Sequence, residues 1–243
     1  MTIITIILFG LVVLLAHFLE GITGFGCTVL ALPFCIMLTG IKTAKPVLTI
    51  CALFLCLYVV IVSYKDIIWK QYIRIMIFVG IGLPVGIWIF NKFPENVLKD
   101  ILAVFMIVIS IRGLIICYRK NKVTKPINNS LLNFILFIGG CIHGAFTSGG
   151  PLVIIYAAEK LKNKSNFRST LCMVWVSLNS IIIIQSFFKG DITPDVTKLL
   201  LYSLPFLIVG GFLGNYAHHK IKDTIFSKMV YIILFISAMF MFL

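Results

Sequence analysis

Four side chains capable of acid–base or anion chemistry sit in stretches too apolar to solvate them: His17, Glu20, His143 and Arg112. His17 and Glu20 are one helical turn apart, which puts them on one face. They end an apolar run over residues 3–20 and lead straight into Gly21-Ile-Thr-Gly24-Phe-Gly26-Cys-Thr28. His143 stands in a matching place, just before Gly144-Ala-Phe-Thr147-Ser148-Gly149-Gly150-Pro151. An ionisable group at membrane depth is costly, so each is a functional candidate by default. His17, Glu20 and His143 are the candidates for proton coupling, with Glu20 and His143 exchanging protons as an anion moves. The plainer alternative for each histidine is a neutral ring bonded to a nearby carbonyl. Arg112 lies in the last turns of its span and is expected to snorkel to the cytoplasmic face. Asn179 and Gln185 are expected to make interhelical hydrogen bonds.

The glycine turns themselves offer a second kind of chemistry. A helix that restarts after a turn begins with unpaired N–H groups carrying partial positive charge. Glycine lets a ligand approach that backbone, so such a start is an anion site. Gly24, Gly26 and Thr28 form the first candidate set; Thr147, Ser148, Gly149 and Gly150 form the second. The competing reading of both is tight helix packing around buried turns. No nucleophile elbow, phosphate loop or metal-spaced His/Cys set is visible. No catalytic residue, metal or cofactor is therefore expected, and the protein is not read as an enzyme. The seven cysteines form no Cys-x-x-Cys pair and read as reduced, unliganded packing residues.

The elements that must hold these residues are membrane helices. Hydrophobic residues make up 60% of the chain, and the few charged ones gather in short connecting runs. A soluble domain of this size could not cover so much apolar surface. The net charge of +13 is therefore no nucleic-acid footprint; it sets topology and meets anionic lipid. About a dozen mostly apolar residues precede the second turn, Leu131–Ile142, and about a dozen follow, Pro151–Leu161. Each arm covers only ~18 Å as helix, against a bilayer core of ~30 Å. That predicts a re-entrant hairpin with its turn near mid-membrane, where non-helical backbone survives only if buried or lining a wet cavity. Residues from about 3 to 39 share the layout.

Three spans follow each hairpin: Pro46–Ser63, Tyr72–Phe90 and Val97–Cys117 in the first half, Leu171–Phe188, Lys198–Ala217 and Ile225–Leu243 in the second. Gly21 and Gly26 align with Gly144 and Gly149, Asp66 with Asp191, and Gly82, Gly86 and Lys92 with Gly210, Gly214 and Lys220. Such ordered matches argue for duplication. The expected fold is thus an all-α polytopic membrane protein of two inverted repeats with about eight hydrophobic segments. The first repeat covers residues 1–118 and the second 131–243, around a cytoplasmic linker at 119–130. Inversion puts Lys65, Lys70, Arg74, the Arg119–Lys125 and Lys160–Arg168 clusters, Lys220, Lys222 and Lys228 on one face, and only Lys42, Lys45, Lys92, Lys99, Lys189 and Lys198 on the other. That asymmetry fits the positive-inside rule, with both termini outside.

The duplicated turns, Gly21 to Pro33 and Gly144 to Pro151, together with the glycine-rich third spans, resemble those of the sulfite exporter TauE/SafE family, also called the 4-toluene sulfonate uptake permease family. The resemblance covers nearly the whole chain. It implies a bacterial inner-membrane, multi-pass permease for a sulfur oxyanion or organosulfonate. The expected function is alternating access at a midplane site between the two turns, with the anion and the bilayer as partners and homo-oligomerisation left open. The rival readings are an anion channel and an intramembrane enzyme using Glu20 and His143.

Overall fold

The computed structural model describes residues 2–118, 128–161, 163–218 and 220, with isolated positions 232, 235 and 239. Every regular element among them is helical: α1 (Ile3–Thr23), α2 (Cys27–Thr39), α3 (Ile41–Val62), α4 (Trp69–Lys92), α5 (Glu95–Tyr118), α6 (Asn129–Phe146), α7 (Gly150–Lys160), α8 (Lys164–Lys189) and α9 (Pro194–Ala217), with a short 3-10 turn at Tyr64–Asp66. Local chemistry sets the ends. Thr2 and Asn163 side chains accept from the first-turn N–H groups of α1 and α8, and Thr193 does the same for α9, whose first residue is Pro194. These are N-caps that satisfy orphan donors. Left-handed residues end α1 at Gly24, α6 at Thr147 and α8 at Gly190.

Six described helices are long and apolar enough to cross a membrane: α1, α3, α4, α6, α8 and α9. Their outer faces carry Ile4, Ile61, Ile81, Trp88, Phe188, Ile208 and Phe212, all exposed. A face so uniformly apolar is solvated by lipid. The half-length elements are α2 and α7, with 13 and 11 residues.

Two expectations need correction. The arm before the second turn is no short half-helix. α6 runs 18 residues, Asn129–Phe146, about 27 Å at the α-helical rise. It passes through Gly139-Gly140 because Gly140 is pressed against the Val79 backbone of α4, and tertiary packing outweighs the low propensity of glycine. Likewise α3 begins at Ile41, not Pro46, because Gly40 serves as both the C-cap of α2 and the N-cap of α3. Lys42 and Lys45 therefore lie inside a helix. The expected span Ile225–Leu243, and most of the linker at 119–130, lie outside the described residues.

Packing crosses between the halves of the chain. α1 lies on α9, α4 on α6 and α3 on α8. The crossings are close because small residues meet backbone. A Cβ on Gly82 or Gly86 would strike the carbonyls of Phe137 or Cys141. A Cβ on Gly210 or Gly214 would strike those of Leu14 or Phe18. Two glycines four apart thus face two carbonyls four apart, once at α4–α6 and once at α9–α1. This is the small-residue packing that lets membrane helices approach.

Candidate functional site

The two turns open on one cavity. Gly26 and Thr28 line it from the start of α2, Thr147 and Gly150 from the end of α6 and the start of α7. Glu20, Val29, Ala52, His143, Trp175 and Asn179 complete the wall. Its volume is about 20 Å³, room for about one water molecule. The short helices are broken off where the backbone must turn. Gly24 and Gly26 hold φ of 78° and 102°, and Thr147 holds 53°. That is the left-handed region, which glycine adopts freely and a β-branched residue rarely does.

Each predicted residue has a definite place. The Gly24 carbonyl accepts from Trp175 Nε1 at 3.0 Å and faces the Cys172 thiol. Ser148 is buried, and its hydroxyl and that of Thr147 both donate to the Phe146 carbonyl. Gly149 lies against the Gly139 carbonyl and does not line the cavity, unlike Gly150. Glu20 and His143, from different halves of the chain, face the same cavity, whereas His17 stands behind Glu20. His143 Nε2 bonds Asn179 Oδ1 at 3.1 Å, and its ring stacks on Trp175 at 5.3 Å. Its Nδ1 has no partner. Asn179 thus makes the interhelical bond expected of it.

His17 is more constrained. Its Nδ1 bonds the Val13 carbonyl at 2.8 Å; a carbonyl only accepts, so Nδ1 carries the proton. Nε2 of the neutral ring is then a bare lone pair, and it is buried without a partner, as is Glu20 Oε2. The other oxygen, Oε1, takes the Cys56 thiol at 3.8 Å. His17, Glu20 and Cys27 donor atoms all lie within 4.8 Å of one another. The set could share a proton or hold a metal ion. Local spacing could not reveal it, because Cys27 joins from across the turn.

Two cations that the sequence places among the topology-setting charges are buried instead. Arg168 is 4% exposed. Its guanidinium donates to Asn215 Oδ1 at 2.8 Å, and its backbone and side chain press on Gly24. Lys45 is 7% exposed and donates to the Gly144 and Ala145 carbonyls at 3.1 and 2.8 Å. Trp175 is a third residue that sequence did not single out.

Six long apolar helices with apolar outer faces define a multi-pass membrane protein, and two helix starts meet at one cavity inside it. The family model for the sulfite exporter TauE/SafE matches residues 9–241. The chain belongs to that family, which consists of membrane transporters for sulfur anions. No curated protein and no solved structure matches it.

Proposed function

We propose that the protein is a secondary transporter for a small sulfur oxyanion or organosulfonate, working by alternating access between its two glycine turns. One observation carries the reading: the N-termini of α2 and α7 meet at a single buried cavity. Two helix dipoles and the hydroxyls of Thr28 and Thr147 converge there, and positive helix ends favour an anion. Gly24, Ser148 and Gly149 shape the turns; Gly26 and Gly150 let the anion approach the backbone.

The halves 1–118 and 131–243 act as inverted repeats around the linker at 119–130. The exchanged pairing of α1 with α9 and α4 with α6 supports this, as do the repeated glycine–carbonyl contacts. Inverted repeats that rock about a central site are a common transporter design. Glu20 and His143 couple proton movement to the anion, with His17 as the inner acceptor behind Glu20. The membrane is the bacterial inner membrane, with the basic Lys160–Arg168 side toward the cytoplasm.

The test is radiolabelled sulfite flux with purified protein in liposomes. Saturable uptake with counterflow is expected. Glu20→Gln is expected to abolish acceleration by a proton gradient while sulfite–sulfite exchange persists. Flux no greater than in protein-free liposomes, for sulfite and for sulfonates alike, would sink the reading. Continuous, non-saturating current would replace it with a channel.

A further inference from the structure

A second cavity opens at one end of α3 and α8. Its volume is about 390 Å³, and its wall includes Lys42, Lys45, Phe90, Ser186, Lys189 and Asp191. Three cations face one carboxylate there, so the vestibule carries a net positive charge. Lys45 stands at its floor, with the ammonium 3.6 Å over the Phe90 ring. The same ammonium bonds Gly144 and Ala145, which lie between His143 and Thr147, two residues of the inner cavity wall.

Three separate voids follow one another inward along α3 and α8. On α3, Lys45, Thr49 and Ala52 share a face at helical spacing. On α8, Ser186, Ile182, Asn179 and Trp175 share another. α3 and α8 pack against each other. Lys45 and Ser186 line the vestibule. Lys45, Thr49, Ile182 and Ser186 line a void of about 10 Å³ beneath it. Ala52, Asn179 and Trp175 line the inner cavity. Ile182, 3% exposed, is the narrowing.

Lys45 also completes the capping of the helix that ends at the second turn. The last four carbonyls of α6 belong to His143, Gly144, Ala145 and Phe146. Thr147 N–H takes the first, Lys45 takes the next two, and the Thr147 and Ser148 hydroxyls take the last. An anion that captures the ammonium would release two of these carbonyls at once.

We infer that Lys45 is the entry subsite and gate for the anion. It receives a small oxyanion from the vestibule, leaves the Gly144 and Ala145 carbonyls to do so, and thereby frees the second turn to admit the anion past Ile182. This deepens the transport reading above and rests on it for the identity of the ligand.

Two measurements test it. In sulfite uptake by liposomes of phosphatidylethanolamine and phosphatidylglycerol, Lys45→Gln is expected to raise the apparent KM about tenfold or more, since a charge-assisted contact is lost. Lys45→Arg should retain most of the affinity, and Lys189→Gln on the rim should shift KM about twofold. Ile182→Ala should raise the maximal rate without raising KM. An unchanged KM in Lys45→Gln, alongside normal wild-type flux, overturns the gate and leaves the transport reading intact. The second measurement needs no transport. Ser186→Cys is labelled by impermeant anionic and cationic methanethiosulfonates, against the native chain as background. The anionic reagent should react faster, and the preference should fall in the Lys45→Gln background. Equal rates overturn the subsite. A preference that depends on Lys45 in a protein without sulfite flux keeps the anion subsite and discards sulfite transport. If Lys45→Gln does not fold, the preference is compared in Lys42→Gln and Lys189→Gln backgrounds: one that survives both keeps the Lys45 subsite, and one lost with either overturns it.

Discussion

The two turns meet at the same cavity but are built from different parts. The first ends α1 with glycine in the left-handed region, Gly24, and its carbonyl is held by Trp175 of α8. His218 Nδ1–H caps the Ile22 carbonyl from beyond α9. The second ends α6 with threonine in the same conformation, Thr147, and its helix end is held by the Lys45 ammonium. The first turn is locked by indole and imidazole donors with Arg168 packed beside it. The second is locked by a cation at the floor of an open vestibule. On the transport cycle proposed above, unequal locks would let the arriving anion release one turn while the other is held independently of it.

Glycine, too, is needed for different reasons on the two sides, and substitutions can separate them. Gly149 has an ordinary φ of −69°, so its requirement is steric: a Cβ would overlap the Gly139 carbonyl and the His143 side chain. Backbone inside a packed helix pair cannot retreat cheaply, so Gly149→Ala is expected to cost about 3 kcal/mol or more. Thermal melting in detergent and loss of flux would read this. A melting temperature within a degree of wild type would mean that the second turn is loosely packed. Gly24→Thr places the residue of the second turn in the first. It combines a positive φ with a Cβ only 3.0 Å from the Arg168 backbone. The expected cost is about 2–3 kcal/mol. Gly26, with open space around its Cβ position, should tolerate alanine at about 1–2 kcal/mol, the strain of the left-handed region alone.

The lock on the first turn is the next smaller effect. Trp175→Phe keeps an aromatic stack on His143 but removes the Nε1–H donor to Gly24. The buried carbonyl keeps only the weak Cys172 thiol, so the expected cost is about 1 kcal/mol, that of one net hydrogen bond. Melting should fall accordingly, while the apparent KM for sulfite at the Lys45 side should hold. A rise in KM equal to that of Lys45→Gln would erase the difference between the two locks.

Much of this frame is legible in the sequence. The turns at Gly24–Gly26 and Thr147–Gly149 were marked by glycine interrupting apolar runs, and the glycine pairs of α4 and α9 by their spacing. Close helix packing follows from that spacing, because only small residues let a carbonyl pass so near; the partners, α6 and α1, are tertiary facts. What could not be read was burial of charge. In sequence Lys45 and Arg168 look like any basic residue near a helix end. Their roles depend on which opposite turn each one reaches, and that turn is far off in sequence: Lys45 bonds residues about a hundred positions away. Trp175 gives no local signal either, since its donor finds a carbonyl in the other half. The length of α6 escapes the sequence for the same reason, because the packing of Gly140 on α4 is a tertiary fact.

The mildest change is also the one that isolates the turns most cleanly. Thr147 sits at φ 53° and ψ 24°, the cap that Gly24 occupies in the other half at φ 78° and ψ 15°. A β-branched residue is strained there, and removing the strain by Thr147→Gly should stabilise the fold by about 1 kcal/mol. The loss of one hydroxyl bond to the Phe146 carbonyl offsets little, because Ser148 donates to the same oxygen. Stability and function should therefore part company. If the Thr147 hydroxyl serves the anion, turning from the carbonyl to meet it, Thr147→Gly melts higher yet transports sulfite more slowly. Thr147→Ser then regains the rate. Should Thr147→Gly gain stability and keep full flux, the strained threonine has no part in binding. The second turn would then differ from the first only in its lock at Lys45.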